Sequence, residues 1–428
     1  MLKVFKFGGA SVKDADSVRN VASILKKHSP QKLVVILSAM GKTTNSLEKV
    51  LNAWYESDEQ LNNFVQDVIG YHQGIIASLF PDKNHPVYFM TDLLFGELEG
   101  HLHTPPSLNY DFDYDQVVSF GEMMSTTIIS EFLISEGFNC QWFDVRELIS
   151  TDNTWREGKV DWEITESQIR DQVSGFLDSS EVTPAIALTQ GFLGAAEDGA
   201  TTTLGREGSD YTAAIFAHSL HAEEMVIWKD VPGLLNADPK YFSVTEKLAS
   251  ISYREAIELS YYGATVIHPK TIKPLQNKDI PLRIKSFVDP ESEGSLIHQD
   301  TSADSLIPSF IFKVNQVLIS ISPRDFSFID EQSLSEILAV FADNSIHISL
   351  MQNSAISFSV CVDHNKRRLS QLFEALGKEY KVRYNSGLEL ITIRHYDQAT
   401  IDRVLEDGKT VLLEMRSRLT AQFVARPN

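Results

Sequence analysis

The spacing of apolar positions changes several times along the chain, and each change marks an element. Leu2–Phe7 is a short apolar run, partly β-branched, as in a buried strand. Gly8 and Gly9 end it. Val18, Val21, Ala22 and Leu25 then repeat at the i, i+3, i+4, i+7 spacing of an amphipathic helix. Lys32–Leu37 (KLVVIL) predicts a second strand, followed by Ser38-Ala39-Met40-Gly41 and a helix carrying Leu47, Val50, Leu51 and Trp54 on one face. Residues 55–115 predict mostly helix, with a loop at Thr104-Pro105-Pro106, and 117–137 a long apolar helix. Strands are predicted at 140–145, 184–189, 224–228 and 281–288, and helices at 210–218 and 253–275, the latter broken near His268-Pro269. Strand, turn and helix in alternation imply an α/β fold with a largely parallel sheet.

Residues 289–309, rich in Asp, Glu, Ser and Pro, predict a linker. Beyond it the texture becomes βαββα: strand 312–320, helix 330–342, strands 346–351 and 355–362, helix 366–376. That order suits a small ferredoxin-like α+β module. A second, shorter copy follows over 388–425, with one helix near 400–405. The expected domains are therefore 1–300 and 308–428.

Charge narrows the partners. Lys and Arg number 38 against 58 Asp and Glu, giving −20. Such a surface repels a phosphate backbone, so no nucleic-acid partner is expected, and any anionic ligand needs a local cluster of cations. Cys140 and Cys361 are too few and too far apart for a disulfide framework or a thiolate metal site, and point to a reducing compartment. The opening MLKVFKFGG has no secretory h-region, and the apolar runs are strand-sized, short of the roughly 18 residues of a membrane span. The expectation is a cytoplasmic protein with no membrane partner.

Five stretches carry candidate chemistry. Lys6-Phe7-Gly8-Gly9 closes a strand with two glycines, which lets backbone N–H groups approach phosphate oxygens, with a helix start beyond and Lys6 as a mobile cation. A plain βα turn would look the same. Met40-Gly41-Lys42-Thr43 ends like a P-loop, but the earlier glycine that motif needs is Ile36, so no Walker A site is present. Ser38, Thr43, Thr44 and Asn45 still make a hydroxyl-rich helix start, suited to a ligand or to simple capping. Glu122, in Ser119-Phe120-Gly121-Glu122, suits an ammonium ligand or the macrodipole of a helix start. Thr201–Asp210 concentrates three threonines, two glycines, Arg206 and Asp210 before a helix, and Arg is the residue that grips a carboxylate through two parallel bonds. Trp228–Lys240 leaves a strand through two turns with cations at both ends, as a nucleotide loop or any surface loop would. The histidines are scattered, and no metal ligand set is expected.

Lys6–Gly9, Ser38–Asn45, Ser119–Glu122, Gln190-Gly191-Phe192, Thr201–Asp210 and Trp228–Pro239, in this order, resemble the aspartate kinase family. The resemblance covers about the whole chain, because the tail looks like paired ACT modules. It implies an amino-acid kinase α/β/α sandwich and transfer of the ATP γ-phosphoryl group, with Mg²⁺, to the β-carboxylate of L-aspartate. It also implies roles. Lys6 and Asp210 would be catalytic. Ser38, Thr44, Glu122, Arg206 and Ser209 would bind aspartate. Lys6, Phe7, Gly8, Gly9, Lys229, Asp230, Leu235 and Lys240 would bind the nucleotide. A homodimer through the ACT-like modules is the implied assembly. A glutamate or acetylglutamate kinase and a catalytically dead amino-acid sensor are the competing readings. A fused homoserine dehydrogenase has no room within 428 residues.

The chain departs from the family pattern at several positions. Ala10 replaces a usual Thr, and Glu207 a common Gly. Lys229 stands where many members have Thr, while Thr265 stands where many have a phosphate-binding Lys, as though the lysine had moved. In lysine-sensitive members the tail carries a run like Ser-Val-Asp-Leu-Ile-Thr-Thr-Ser-Glu. Here Ser349 and Ala355 replace both carboxylates, which predicts weak or absent inhibition by lysine.

Overall fold

The computed structural model describes residues 2–28, 32–179, 185–242, 244–264, 267–325, 327–406 and 408–427. Two compact units divide the chain: Met1–Leu234 with Ala249–Ile257 and Ile267–Thr301, and Leu235–Leu248 with Glu258–Val266 and Ser302–Asn428.

The first unit begins β1 (Leu2–Phe7), α1 (Ala15–Lys27), β2 (Lys32–Leu37), α2 (Thr43–Glu56), α3 (Leu61–Leu79), α4 (Pro86–Leu102), α5 (Tyr110–Ser135) and β3 (Asn139–Phe143). It continues α6 (Trp162–Ile169), α7 (Gly175–Ser179), β4 (Ala185–Gln190), β5 (Leu193–Ala195), β6 (Thr201–Thr203), α8 (Gly208–Ser219) and β7 (Glu224–Lys229). In chain order follow β8 (Leu234–Leu235), paired with β9 (Lys247–Leu248) of the second unit, then β10 (Ser250–Ser252), α9 (Tyr253–Tyr262, of the second unit from Glu258), α10 (Pro269–Asn277), β11 (Leu282–Ser286) and β12 (Ser295–His298). The main sheet runs β10-β12-β11-β7-β1-β2-β4-β3. Its pairs are parallel except β11 with β12.

Helices cover both faces, so the central strands are mostly apolar rather than alternating. On one face Phe5, Phe7, Val35 and Leu37 pack under α1, α3 and the second half of α5. On the other, α8 lies against β1, β2 and β7. This is the expected α/β/α sandwich.

Three details differ from expectation. The long helix starts at Tyr110, capped by the Asn109 side chain, because its first two turns are polar and hid the periodicity. It is long and apolar enough to cross a membrane, yet most of it is buried within the unit, which accounts for apolar residues on every side. The predicted linker holds β12, inserted between β10 and β11, and its buried Ser295 hydroxyl accepts a hydrogen bond from the Leu234 N–H at 2.8 Å. Finally, α1 does not follow Gly9 directly. A 3-10 turn over Gly9–Val12 intervenes, and Asp14 caps α1 by accepting from the Ser17 N–H.

The second unit's tail comprises β13 (Ser309–Pro323), α11 (Glu331–Asp343), β14 (Ile348–Ser354), β15 (Ser357–Asp363), α12 (Lys366–Leu376), β16 (Tyr380–Arg394), α13 (Gln398–Leu405), β17 (Thr410–Arg416) and β18 (Thr420–Arg426). One antiparallel sheet runs β14-β15-β13-β16-β18-β17. The two long strands serve both modules: the start of β13 pairs with the end of β16 (Phe310↔Ile393), its end with the start (Ile321↔Val382), with register shifts between. The first module buries Ile337, Phe341, Leu369 and Leu372 of its two helices against Ile319 and Val360. The second has α13 alone among the described residues, packing Ile401 and Val404 on Ile391 and Phe423.

Candidate active site

Parallel register sets the site. Leu37 pairs with Gln190, and Phe7 pairs with Leu37 on one side and Trp228 on the other. One residue beyond these pairs stand Gly191, Ser38, Gly8 and Lys229, a row across the carboxyl ends of four neighbouring strands about 4.8 Å apart. Open α/β sheets bind ligands at this edge. The Ser38 N–H donates to the Phe7 carbonyl at 3.2 Å and the Gly191 N–H to the Leu37 carbonyl at 2.8 Å, which locks the row.

Two glycines are required by close approach. A Cβ on Gly9 would sit 2.7 Å from the Gly41 carbonyl oxygen and 2.8 Å from that of Ala39. A Cβ on Gly191 would sit 2.5 Å from Cβ of Ser209, where α8 begins. Both positions let one chain segment lie directly on another.

A cleft of about 870 Å³ opens over the row. Lys6, Ser38, Thr44, Glu122, Arg206, Ser209, Asp210 and Lys229 all line it, so side chains up to 223 residues apart (229 − 6) meet in one cavity. Lys6 Nζ lies 2.8 Å from Asp210 Oδ1, with both side chains nearly buried. The contact is an ion pair without hydrogen-bond alignment, and that oxygen has no hydrogen-bond partner. Glu122 is 3 % exposed and sits mid-way along α5 rather than in its first turn, so the macrodipole does not explain it. Its Oε1 accepts from the Ala39 N–H at 3.1 Å, and its Oε2 has no partner. Burial pushes the carboxyl up to about 8, against the pull of the Ala39 N–H and the Lys6 ammonium. Arg206 is exposed at the lip. Thr44 lies in the first turn of α2, which no side chain caps, while Thr43 gives its hydroxyl back to the Met40 carbonyl at 2.6 Å.

Other sequence candidates fall elsewhere. The Phe7 ring is fully buried and stacks on Trp228 at 5.9 Å, so it cannot touch a nucleotide. Its part is to hold the turn. Asp230 is exposed beyond the lining, and Leu235 and Lys240 belong to the second unit. Thr265, the proposed counterpart of Lys229, lies outside the described residues. The phosphate-side helix expected after Gly9 is only the 3-10 turn, so any phosphate there meets backbone N–H groups and Lys6 rather than a long helix dipole.

With this geometry in place, comparison with known proteins separates the readings. A model of the amino acid kinase family matches residues 1–286. Lysine-sensitive aspartokinase 3 of Escherichia coli (strain K12) is 31% identical over 364 residues, 84% of this chain and 78% of that protein. The chain belongs to the amino acid kinase family, among its aspartokinases. Aspartokinase 1, chloroplastic, of Arabidopsis thaliana is 28% identical over 407 residues, 91% of this chain and 70% of that protein. The crystal structure of E. coli aspartokinase III in complex with aspartate and ADP (R-state) superposes with a TM-score of 0.83 at 26% identity, covering 100% of this chain and 96% of that one.

The aspartokinase cleft also contains residues to which sequence reasoning gave no role. Arg156 lines it at a left-handed φ of 65°, with its guanidinium 4.1 Å over the Tyr114 ring and paired with Asp111 at 3.2 Å. Phe192 holds φ 72° at the same wall, and its N–H donates to the Thr212 hydroxyl at 2.9 Å. A bulky side chain in that region of φ is strained, which is a mark of a site. Asp115, fully buried, accepts from the Arg156 N–H at 2.9 Å, the Thr203 N–H at 3.0 Å and the Thr203 hydroxyl at 2.7 Å. It ties two walls of the cleft together. Burial pushes its carboxyl up while these donors pull it down.

Proposed function

We infer that the cleft transfers the γ-phosphoryl group of ATP to the β-carboxylate of L-aspartate, giving 4-phospho-L-aspartate, the first step of the aspartate pathway. One observation carries this reading: a buried Lys6–Asp210 pair at 2.8 Å shares a cavity with the unpartnered Oε2 of Glu122 and with Arg206. A buried carboxyl oxygen without a partner is costly, and a substrate ammonium would satisfy it. Glu122 and Arg206 then face opposite charges of one small zwitterion, the α-ammonium and the α-carboxylate. Ser38, Thr44 and Ser209 supply hydroxyls around it.

The attacking carboxylate has a reference pKa of about 4, so it needs no base at neutral pH. The protein's work is therefore positioning and charge neutralisation. Lys6 meets the oxygens of the transferring group, and Asp210 orients Lys6. Gly8 and Gly9 offer backbone N–H groups to the phosphates, and Lys229, across the row from Gly8, adds a second cation. We assign Asp230, just beyond the end of β7, to the adenine and ribose side. Mg²⁺ bound to ATP would neutralise phosphate charge, and no cluster of three ligating side chains occurs among the described residues.

We further assign catalysis to 1–300 and a regulatory role to 308–428. Two copies associating through the tail is the assembly this reading favours, since β14 and β17 leave both edges of the six-stranded sheet open to pairing. The cysteine-poor composition supports the cytoplasm as the location.

Aspartyl phosphate trapped with hydroxylamine tests the activity. Lys6→Ala and Asp210→Ala should each lower kcat by about 100-fold or more while leaving the far-UV spectrum unchanged. Near-normal kcat in either variant would remove it from the mechanism.

A further inference from the structure

Outside the aspartate cleft, a second cavity of about 370 Å³ opens between α6, α8 and α10. Its walls include Trp162 and Glu166 of α6, Tyr211 and His218 of α8, and Lys270 and Lys273 of α10. The aspartokinase chemistry uses none of these side chains.

The acidic part of the wall is already neutralised. Glu166 takes Arg170 on one oxygen at 2.5 Å and faces His218 Nε2 with the other at 3.1 Å. His218 Nδ1 faces the Pro274 carbonyl at 2.9 Å, so both ring nitrogens are engaged. Two cations remain. Lys273 is exposed and makes no ion pair among the described residues. Lys270 Nζ gives one hydrogen bond to the Leu204 carbonyl at 3.0 Å and lies 5.7 Å over the Tyr211 ring. Three residues apart on one helix, the two ammonium groups share a face. The Trp162 and Tyr211 rings, 6.4 Å apart in an edge arrangement, supply flat apolar walls. Concave, partly aromatic cavities with a few unneutralised charges are where small ligands bind. The matching chemistry is a small anion with a flat aromatic body.

The cavity also touches the substrate loop. The Lys270 bond to Leu204 and the bond from the His268 N–H to Glu207 at 2.8 Å both hold residues 204–207, which carry Arg206, to the start of α10. Gly205 and Glu207 both have left-handed φ, 75° and 55°, so the loop has a conformation that needs such ties. An anion that draws the Lys270 ammonium to itself removes one of them.

We propose that this cavity is a second ligand site, which takes a small aromatic anion between Lys270, Lys273, Trp162 and Tyr211 and, when filled, loosens the loop bearing Arg206. The binding half stands alone; the coupling half rests on the reading of Arg206 as an aspartate contact.

The test uses 4-fluorophenyl phosphate as probe and ¹⁹F NMR, on the full chain with ADP and aspartate saturating the main cleft. Saturable binding is expected, weakened about tenfold or more by Lys273→Glu, by Lys273→Gln to a lesser degree, and by Trp162→Ala. In steady-state assays the probe should raise the KM for aspartate several-fold with kcat little changed, and should lose that effect in Lys273→Glu, whose basal activity stays normal. No saturable binding, or equal binding by Lys273→Glu, overturns the site. Equal competition by inorganic phosphate overturns the aromatic ligand class. Binding without any change in the aspartate KM overturns the coupling, provided Arg206→Lys itself raises that KM. If Arg206→Lys leaves it unchanged, the reading of the main cleft has failed instead.

Discussion

Glu122 holds a carboxyl where no carboxylate is comfortable. Burial pushes it up to about 8, so in the free enzyme at neutral pH it carries a proton. An α-ammonium group needs the ionised form, and binding must expel that proton. The sign follows: kcat/KM for aspartate should climb about tenfold per pH unit below pH 8 and flatten above it. Glu122→Gln should lower kcat/KM by about 10- to 100-fold and remove that slope. A flat profile from pH 6 to 8 in the unmodified enzyme would rule out the ammonium contact. Stability moves oppositely. As pH rises past the ordinary carboxyl range the unfolded chain ionises while folded Glu122 stays protonated, so the group favours folding below that range and opposes it near pH 8. Glu122→Gln should therefore raise Tm at pH 8 and change it little at pH 4. At Arg206 the contrast is one of shape. Arg206→Lys keeps the charge but cannot make the two-pronged grip proposed for Arg206, and the aspartate KM should rise while the ATP KM holds, as initial rates in each substrate would show.

At the scale of elements, short apolar runs with clear stops are where sequence and structure agree most closely, for a physical reason. β1, β2 and α12 have the bounds their patterns imply, because their apolar runs are terminated by residues that local chemistry alone accounts for. Gly9 illustrates the point. Its Cβ would meet two backbone carbonyls, Gly41 and Ala39, and neither can swing aside. Gly9→Ala should cost about 2 kcal/mol of stability and raise the KM for ATP more than that for aspartate, measurable by urea unfolding and initial rates. What the pattern could not supply is contact between distant residues. Asp115 sits in the polar opening of α5, which looks like a solvated helix start, and its value appears only when Thr203, 88 residues on, arrives with two donors. Arg156 lies in a polar loop with no periodicity at all, and Phe192 shows its strain only in φ. Likewise β12, four residues inside a polar stretch, becomes a strand because β10 and β11 flank it. Asp115→Asn tests the tie: an amide donor would face the Thr203 and Arg156 donors, so about 1–3 kcal/mol of stability should be lost, with a raised aspartate KM. Wild-type values in both assays would make Asp115 incidental.

At the scale of the whole molecule the question is what the paired modules sense. The run that resembles the lysine-sensitive pattern forms β14 and its exposed end, and Ser349 and Ala355 stand where that pattern has carboxylates. The structure adds a second obstacle. Lys313 of β13 donates its ammonium to the Ser349 hydroxyl at 3.1 Å, so a cation of the chain's own already occupies that position. A free lysine would bring another ammonium group beside it with no anionic partner, and desolvating a charge under those conditions is costly. Lysine inhibition should therefore be weak or absent, with an IC50 no lower than the millimolar range, a loss of about 4 kcal/mol or more relative to micromolar binding. Lys313→Ala with Ser349→Asp removes the resident cation and restores a carboxylate, and should bring lysine sensitivity up by about tenfold or more. Titration of aspartyl-phosphate formation with lysine, in both proteins, decides the matter. Strong inhibition of the unmodified enzyme by micromolar lysine would mean that the effector is read by residues other than Ser349. If only the double variant responds, β14 of this aspartokinase has kept its place in the module while its own lysine stands in for the effector's charge.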